Sequence, residues 1–534
     1  MKKLFLWLPL FLLICYGANR LYFHLTDGFC ISKITPTFIL DEAWTFQTSE
    51  GEKREAKKIL EQPFTYLAKG RQSYVFCSQD GNYVIKFPKF QKYRIPPFYS
   101  KEKTAKRTYK LTYFLSSWKT AFKDLRQECC LLYVQTNPDP AFHHSLTLID
   151  KVGRAHTIDL SKFTFMVQRK GELLPSVIET RMAKGEVAAA ESLLNKLLEL
   201  YISEYARGIA EKDTYIQRNT AVIEGMPFHV DPARFVKEEA FKQPERMVDE
   251  LRQKTVSLRV WLSENYPQLA RFFENQIPRS VFSLKTRLSV MDSRLRELLQ
   301  CVGMEPCGKN VAEVNEWAQK NLLRRGERWE AQSEHFEPLR PELIKLLGEL
   351  GFTEAVFPTL KEYEGVIVHG ALLPTVRLRL QFLVNLWEQG VRFKHLYFLT
   401  GERPLDTLHE EAPCATESAM MQWLWENSAI PETMRSVELH VIKAPMKKEG
   451  RPNTEDTVKQ WLASSPPHGH YLAISNAPYI QRQDLVMQAV LSDSYSLETV
   501  GPAAHEKERM VIFLDEFARA VFFILLSSHN VLWL

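Results

Sequence analysis

Short apolar runs that each end in small or polar residues dominate the last third of the chain. GVIVHG, HLYFLTG, VELHVIKAP and HYLAISNAP follow one another with helical stretches between them. In VRLRLQFLVNLW, Leu380, Leu383, Val384 and Trp387 share a helix face, and in TESAMMQWLW so do Met420, Met421, Leu424 and Trp425. This alternation predicts a parallel, three-layer α/β domain. Ligands bind such sheets beyond the carboxyl ends of the strands, which is where the polar residues fall. The closing run MVIFLDEFARAVFFILLSSHNVLWL is broken by Asp515, Glu516 and Arg519, and predicts a buried strand and a terminal helix rather than a membrane span.

The first half reads differently. Residues 64–89 predict strand, turn, strand, with SYVF and YVIKF as β-branched and aromatic runs and QDGN as the turn. Residues 90–112 are basic and aromatic and predict a loop. FKDLRQECCLLYVQ carries a helical stripe at Leu125, Cys129 and Leu132. SLTLID and FTFMVQRKG predict strands. Residues 186–207 predict a strong helix with Ala190, Leu194, Leu197 and Tyr201 on one face. GIAEKDTYIQRNTAVIEGMPFHVDPARF follows, with a β-like run between Asn219 and Asp231. Residues 238–330 predict mostly charged helices, closing in NLLRRGERWEAQSEHFEP as a connector.

The N-terminus, MKKLFLWLPLFLLICYGANR, has two lysines and then fourteen uncharged residues, Leu4 to Gly17. That length suits a signal-peptide core better than a full span of about 20 residues. No small-x-small cleavage site follows, and Ile14 before Cys15 spoils a lipobox. The expectation is an N-terminal hydrophobic helix over residues 1–25, an uncleaved anchor with Lys2 and Lys3 inside.

Composition narrows the classes. The 534 residues suggest about three domains, or two large ones. A net charge of +5 on so long a chain gives no case for nucleic acid. There is no heptad run, tandem repeat or low-complexity tract. Eight cysteines occur without a Cys-x-x-Cys pair, so no zinc site is expected, and disulfides stay open.

Residues 64–235 resemble the protein-kinase-like fold, an α+β domain expected over 60–290. LAKGRQSYVF stands where the phosphate-covering loop belongs, and YVIK resembles the strand that carries the phosphate lysine, here Lys86. Glu128 in LRQECC is the implied helical ion-pair partner, and MVQRKGELL looks like the strand entering the hinge. Asn219 and Asp231 match the family's two magnesium ligands, so the resemblance implies Mg²⁺ and a nucleotide. Departures accompany the match. Gly70 is the sole loop glycine, Asp213 lies one position from where the base belongs, and Asp231 is followed by Pro232 and Ala233. A degenerate, non-catalytic lobe is therefore expected, with an active phosphotransferase using Lys86, Asn219 and Asp231 as the alternative. In isolation, each of these residues reads better as an ordinary turn or surface residue; only their order and spacing favour the resemblance.

Residues 364–534 resemble the YdcF/SanA/ElyC family of bacterial envelopes, a domain of unknown function. The likeness implies a three-layer Rossmann-like domain over 346–534, after a helical connector at 291–345. GVIVHGALLPTVRLRLQFLVNLWEQG looks like its first strand, glycine turn and Arg-bearing helix, and LYFLTGERPLD like its second strand and turn. TESAMMQWLW matches the acidic helix start at Glu417. RPNTEDTVKQWL resembles the Asn-Thr-acid helix start at Asn453 and Thr454, and LAISNAPYIQRQDLVMQAV the strand end at Ser475 followed by Arg482. His369 and Asn476-Ala477-Pro478-Tyr479 depart from the pattern.

Asn453 caps a helix whose amino end attracts anions. Gly370 and Gly401 admit a ligand, Arg377 or Arg482 supplies the countercharge, and Glu417 can hold a hydroxyl or act as an acid/base. The expected partners are a membrane, through the N-terminal helix, and a small anionic or nucleotide-like ligand. The bulk of the chain is expected to be periplasmic, with a cytoplasmic location the competing case. A purely structural two-domain interaction protein is the third reading.

Overall fold

The computed structural model describes residues 2–38, 41–96, 98–232, 234–324, 336–406, 409–448 and 450–530. The protein is mixed α/β, with parallel-containing sheets, and divides into two compact units. One comprises 1–177 with 209–238, the other 178–208 with 239–534.

The first unit begins with helix α1 (Lys2–Thr26). Among the described residues no helix is long and apolar enough to cross a membrane. Its main sheet has seven strands. These are β1 (Phe64–Lys69), β2 (Ser73–Ser78), β3 (Tyr83–Pro88), β4 (Leu131–Gln135), β5 (Ser145–Ile149), β6 (Ala155–Asp159) and β7 (Phe165–Arg169), in the order β4-β7-β3-β2-β1-β5-β6. Helix α2 (Lys101–Asp124) buries Leu111, Phe114, Leu115 and Trp118 against Leu131, Val134 and Met166. The expected loop at 90–112 is thus largely helix. Its first turns, KEKTAKRTYK, show no apolar face, and the stripe begins only at Leu111. The helical stripe expected through Leu125, Cys129 and Leu132 is also corrected. The helix stops at Asp124, Cys130 takes a left-handed φ of 46°, and Leu132 belongs to β4.

Smaller sheets complete this unit: β8 (Glu172–Leu173), β9 (Ile209–Glu211), β10 (Thr220–Ile223), β11 (Met226–His229) and β12 (Phe235–Lys237). β10 and β11 form a hairpin whose turn residues, Glu224 and Gly225, both have positive φ. Two left-handed residues match the twist of the flanking strands, which is why a two-residue turn closes here.

The second unit opens on α3 (Val187–Ala206), with Ala190, Leu194, Leu197 and Tyr201 buried as its stripe requires. Its sheet is fully parallel: β13 (Glu362–His369), β14 (Arg392–Gly401), β15 (Glu438–Ala444), β16 (Gly469–Ile474) and β17 (Tyr495–Val500), ordered β15-β14-β13-β16-β17. Helices α4 (Leu373–Glu388) and α5 (Glu417–Asn427) cover one face; α6 (Thr454–Ala463) and α7 (Ile480–Val490) cover the other. The expected three layers are present, and β17 adds a fifth strand. Strand order reverses between β13 and β16, so the loops leaving those two carboxyl ends turn to opposite faces of the sheet and leave a crevice between them. The chain's close is one helix, α8 (Met510–Asn530), and not a strand plus helix. Phe517 on α8 packs with Leu298 and Leu347 of the preceding helices, and with Phe352 just after them, in a second core. Residues 325–335 of the expected connector lie outside the described residues.

A buried charged network ties β16 and β17 to α3. His470 Nδ1 lies 2.8 Å from Glu191, and its Nε2 lies 3.4 Å from Glu498. Glu498 also accepts from Arg279 at 2.9 Å and from the Tyr363 hydroxyl at 3.2 Å. Burial opposes a charged His470, but Glu191 and Glu498 outweigh it and raise the imidazole to about 9. Burial likewise opposes a charged Glu498, and His470, Arg279 and Thr359 pull it down to about 2. The His470 contribution is complete below its ordinary value of 6.5 and is lost as pH climbs through about 9. That of Glu498 is complete above 4.5 and is lost as pH falls through about 2. Urea midpoints measured across pH should show this network's contribution on a plateau between those ordinary values, 4.5 and 6.5. His470→Gln should flatten the alkaline limb selectively; an unchanged alkaline limb would show that the network does not set it.

Candidate functional site

Two sites were expected, one in each unit. In the first unit, Lys86 lies on the interior strand β3, opposite Val75 of β2 and Met166 of β7. Its ammonium donates to Gln168 Oε1 at 2.7 Å and to the carbonyl of Val230. Burial lowers it to about 8, opposed by the Asp231 carboxylate and, less, by Cys129. Asp231 is raised, first by burial and then by Asp213, with Lys86 and Arg234 pulling the other way. The β10–β11 hairpin explains this proximity. Thr220 pairs with His229, and the Val230 amide donates to the Asn219 carbonyl at 2.8 Å, which places Asn219 beside Asp231.

Lys86, Asn219, Asp213 and Asp231 therefore come together. Glu128 does not pair with Lys86. It sits on the turn after α2, where its carbonyl accepts from the His229 amide at 2.8 Å. Gln168 occupies the expected partner's place and was not anticipated. Its amide also donates to Cys129 O and His229 O, so it bridges strand and hairpin. Asp213 is held in a local turn, accepting from the Tyr215 amide at 3.1 Å, and stands 3.8 Å from Arg234. At the loop after β1, Lys89 donates to the Gly70 carbonyl, and burial brings this lysine down to about 8.

In the second unit, a cavity of about 350 Å³ opens at the carboxyl ends of the sheet. Gly370, Gly401, Glu417, Asn453, Thr454 and Arg482 line it together. Ser475 is fully buried at the end of β16 and is not on the lining; neighbouring Asn476 accepts from Arg379 at 3.0 Å. Arg377 is exposed and off the lining, whereas Arg379 is 2% exposed and on it. The apolar stripe Leu380, Leu383, Val384 and Trp387 has the two arginines on its opposite margins, so periodicity does not separate them; burial of Phe382 and Leu386 extends the covered face to the Arg379 side.

Six arginines line the cavity, at 324, 379, 403, 451, 482 and 519, against two glutamates, Glu417 and Glu516. Arg379 holds the rim through the His369 and Gly370 carbonyls, at 2.7 and 3.2 Å. Arg482 pairs with Glu516 at 2.5 Å. Glu417 accepts from the Gly401 amide at 2.8 Å, and burial raises its carboxyl despite Arg403. A Cβ on Gly370 would stand 2.9 Å from the Glu417 carboxyl carbon and from the Leu399 carbonyl, so this close approach requires glycine. Asn453 caps α6 in a reciprocal capping box with Asp456. The α6 amino end thus faces the cavity, where its backbone dipole favours an anion. Two buried lining atoms have no protein partner, His369 Nε2 and Gln483 Oε1. Burial, with Arg379 and Arg482 beside it, holds His369 neutral down to about pH 3.

No sequence-family profile matches the chain, and no curated protein matches it by sequence. Among solved structures, it is similar to WbdD in a co-crystal with the kinase inhibitor LY294002. That match is 16% identical, covers 40% of this chain and 45% of that one, and has a TM-score of 0.21. A further crystal structure of WbdD matches at 16% identity, over 40% of this chain and 46% of that chain, with a TM-score of 0.23. So does a structure of the bifunctional kinase-methyltransferase WbdD, at 16% identity over 40% and 42%, with a TM-score of 0.23. This chain spans less than half the length of each. Likenesses this weak carry no argument about the chain's fold or chemistry.

Proposed function

We propose that the α/β unit binds a small ligand bearing a phosphate or carboxylate, in the cavity between the ends of β13 and β16. The carrying observation is the lining: six arginines, the amino end of α6, and two buried polar atoms left for a ligand. About 350 Å³ suits a nucleotide-sized fragment, since small-molecule sites start near about 300 Å³. Arg482 and Asn453 hold the anion, and His369, kept neutral, hydrogen-bonds a polar group beside it. Adenine nucleotides and S-adenosylmethionine are the first ligands to titrate calorimetrically. Arg482→Ala and Asn453→Ala are each expected to weaken binding about ten- to hundredfold, the loss of one charge-assisted hydrogen bond. Equal affinity in wild type and both variants would remove the cavity as the binding site.

A second reading concerns the first unit, and the Lys86–Asp231–Asn219 cluster favours it. This unit is a kinase-like lobe that binds a Mg²⁺–nucleotide as a binding module, without efficient phosphoryl transfer. Asn219 and Asp231 would hold the metal and Lys86 the phosphates.

We also propose that α1, which falls short of a full apolar span, attaches the chain to a bacterial envelope membrane, with the bulk periplasmic. Phe11, Leu12, Leu13 and Ile14 are consecutive and all exposed, so the helix is apolar around its whole circumference there. A reporter fused after Leu534 is expected to be active only outside the cytoplasm; activity only inside would reverse the assigned side.

A further inference from the structure

The parallel sheet of the second unit carries a polar cluster at the end opposite its cavity. His395 is on β14; Glu438 and His440 are on the neighbouring edge strand β15. His395 pairs with Glu438 in the parallel register, and Tyr397 pairs with His440. Side chains alternate along a strand, so His395, Glu438 and His440 share one face.

His395 Nδ1 and His440 Nε2 are 3.4 Å apart. Glu438 Oε2 lies 3.4 Å from the first and 3.6 Å from the second. Three potential ligand atoms thus form a nearly equilateral triangle. Zn²⁺ binds imidazole nitrogen at about 2.0–2.1 Å and carboxylate oxygen at about 2.0–2.2 Å, and the ligand–ligand edge of such a tetrahedron is about 3.3–3.5 Å. Hydrogen bonding accounts for the triangle less well. Contacts of 3.4–3.6 Å are at or past the useful limit. A hydrogen bond between the two imidazoles requires one of these nitrogens to be unprotonated, and that lone pair then faces the carboxylate. A divalent cation satisfies all three atoms at once. The His440 ring is held in place by stacking on Tyr397, with centroids 4.7 Å apart and planes at 16°, and Tyr397 packs on Trp461. The histidines are partly exposed and Glu438 is more so, which gives an ion an entry path.

We infer that His395, Glu438 and His440 form a binding site for Zn²⁺, with a fourth position open to water or an external ligand. The ion ties edge strand β15 to β14. The expectation of no zinc site rested on cysteine spacing alone, and this ligand set contains no cysteine.

The full chain, stripped of metal by a chelator, is titrated with Zn²⁺ by equilibrium dialysis and with Co²⁺ by visible absorption. The expected result is one tight equivalent per chain, with the bands of four-coordinate cobalt. Glu438→Gln and His440→Ala each weaken that equivalent by about 100-fold or more, because even an outer-shell partner of a ligand is worth about 10–100-fold. Glu438 is the exposed member, so Glu438→Gln retains the fold, which far-UV circular dichroism verifies. The assignment is overturned if wild type takes up no tight Zn²⁺. It is equally overturned if either variant binds as wild type does, since the ion then sits on other groups or lacks the carboxylate.

Discussion

Arg403→Met will destabilise the α/β unit by about 3–5 kcal/mol, the usual cost of removing one partner of a buried ion pair. Arg403 forks onto Glu410 at 2.6 and 2.9 Å, and reaches Glu417 at 3.4 Å and the Ala371 carbonyl at 3.0 Å. The Glu410 side chain is 0% exposed, and that of Glu417 is 8% exposed. Burial opposes the Glu410 charge, but Arg403 and the Asp406 and Leu373 amides hold its pKa below the ordinary 4.5. Methionine fills the volume and leaves that carboxylate without its cation. The lowered value fixes the pH signature. The stabilisation is complete above 4.5 and fades as pH falls through the depressed value. The defect should therefore be large at neutral pH and shrink in acid. Urea denaturation at the two pH values measures it. Arg403→Lys, which keeps the charge but not the fork, should fall between wild type and methionine. Adding Glu410→Gln to Arg403→Met should recover part of the loss. A cost under about 1 kcal/mol at neutral pH would mean that water reaches these carboxylates.

If the first unit is the kinase-like lobe proposed above, Asp231→Ala is expected to weaken Mg²⁺-dependent nucleotide binding by about 100-fold or more, since on that reading the change removes a direct metal ligand. Asp231 is also the charge that offsets the burial of Lys86. Without it, burial is opposed only by the lesser influence of Cys129, and Lys86 should titrate lower than about 8. The check is titration of a fluorescent ATP analogue with and without Mg²⁺, for wild type, Asp231→Ala and Asn219→Ala. Wild-type affinity that does not respond to Mg²⁺ sinks the kinase-like reading. Transfer of γ-phosphate by wild type, lost in Asp231→Ala, would replace the non-catalytic lobe with an active phosphotransferase.

Elements whose signal is local could be read directly from the chain. Four strands of the parallel sheet and the two helices carrying Leu380 and Met420 follow from period and length, because one buried face repeats along a few residues. The closeness of Asn219 and Asp231 was legible for the same reason. A hairpin with Glu224-Gly225 at its turn folds them together without help from distant residues. The first half of α2, up to residue 112, reads as loop because it is charged and has no stripe, and the helix is fixed by packing of Leu111 and Trp118 on the sheet. The Lys86 partner was misread because Glu128 was placed on a helix that Asp124 already ends.

The sequence by itself determined the parallel α/β architecture, the glycine turns after β13 and β14, and the capped start of α6. Each depends on residues within a turn or two of one another. Only the tertiary structure decided which charges meet. Arg403 with Glu410, Gln168 with Lys86, and His395 with His440 are joined by strand register and by loops of no regular pattern. A buried charge must find its counterpart wherever the fold places one, because an unpaired charge in a dry interior costs several kcal/mol. That requirement acts through space, and spacing along the chain carries no record of it.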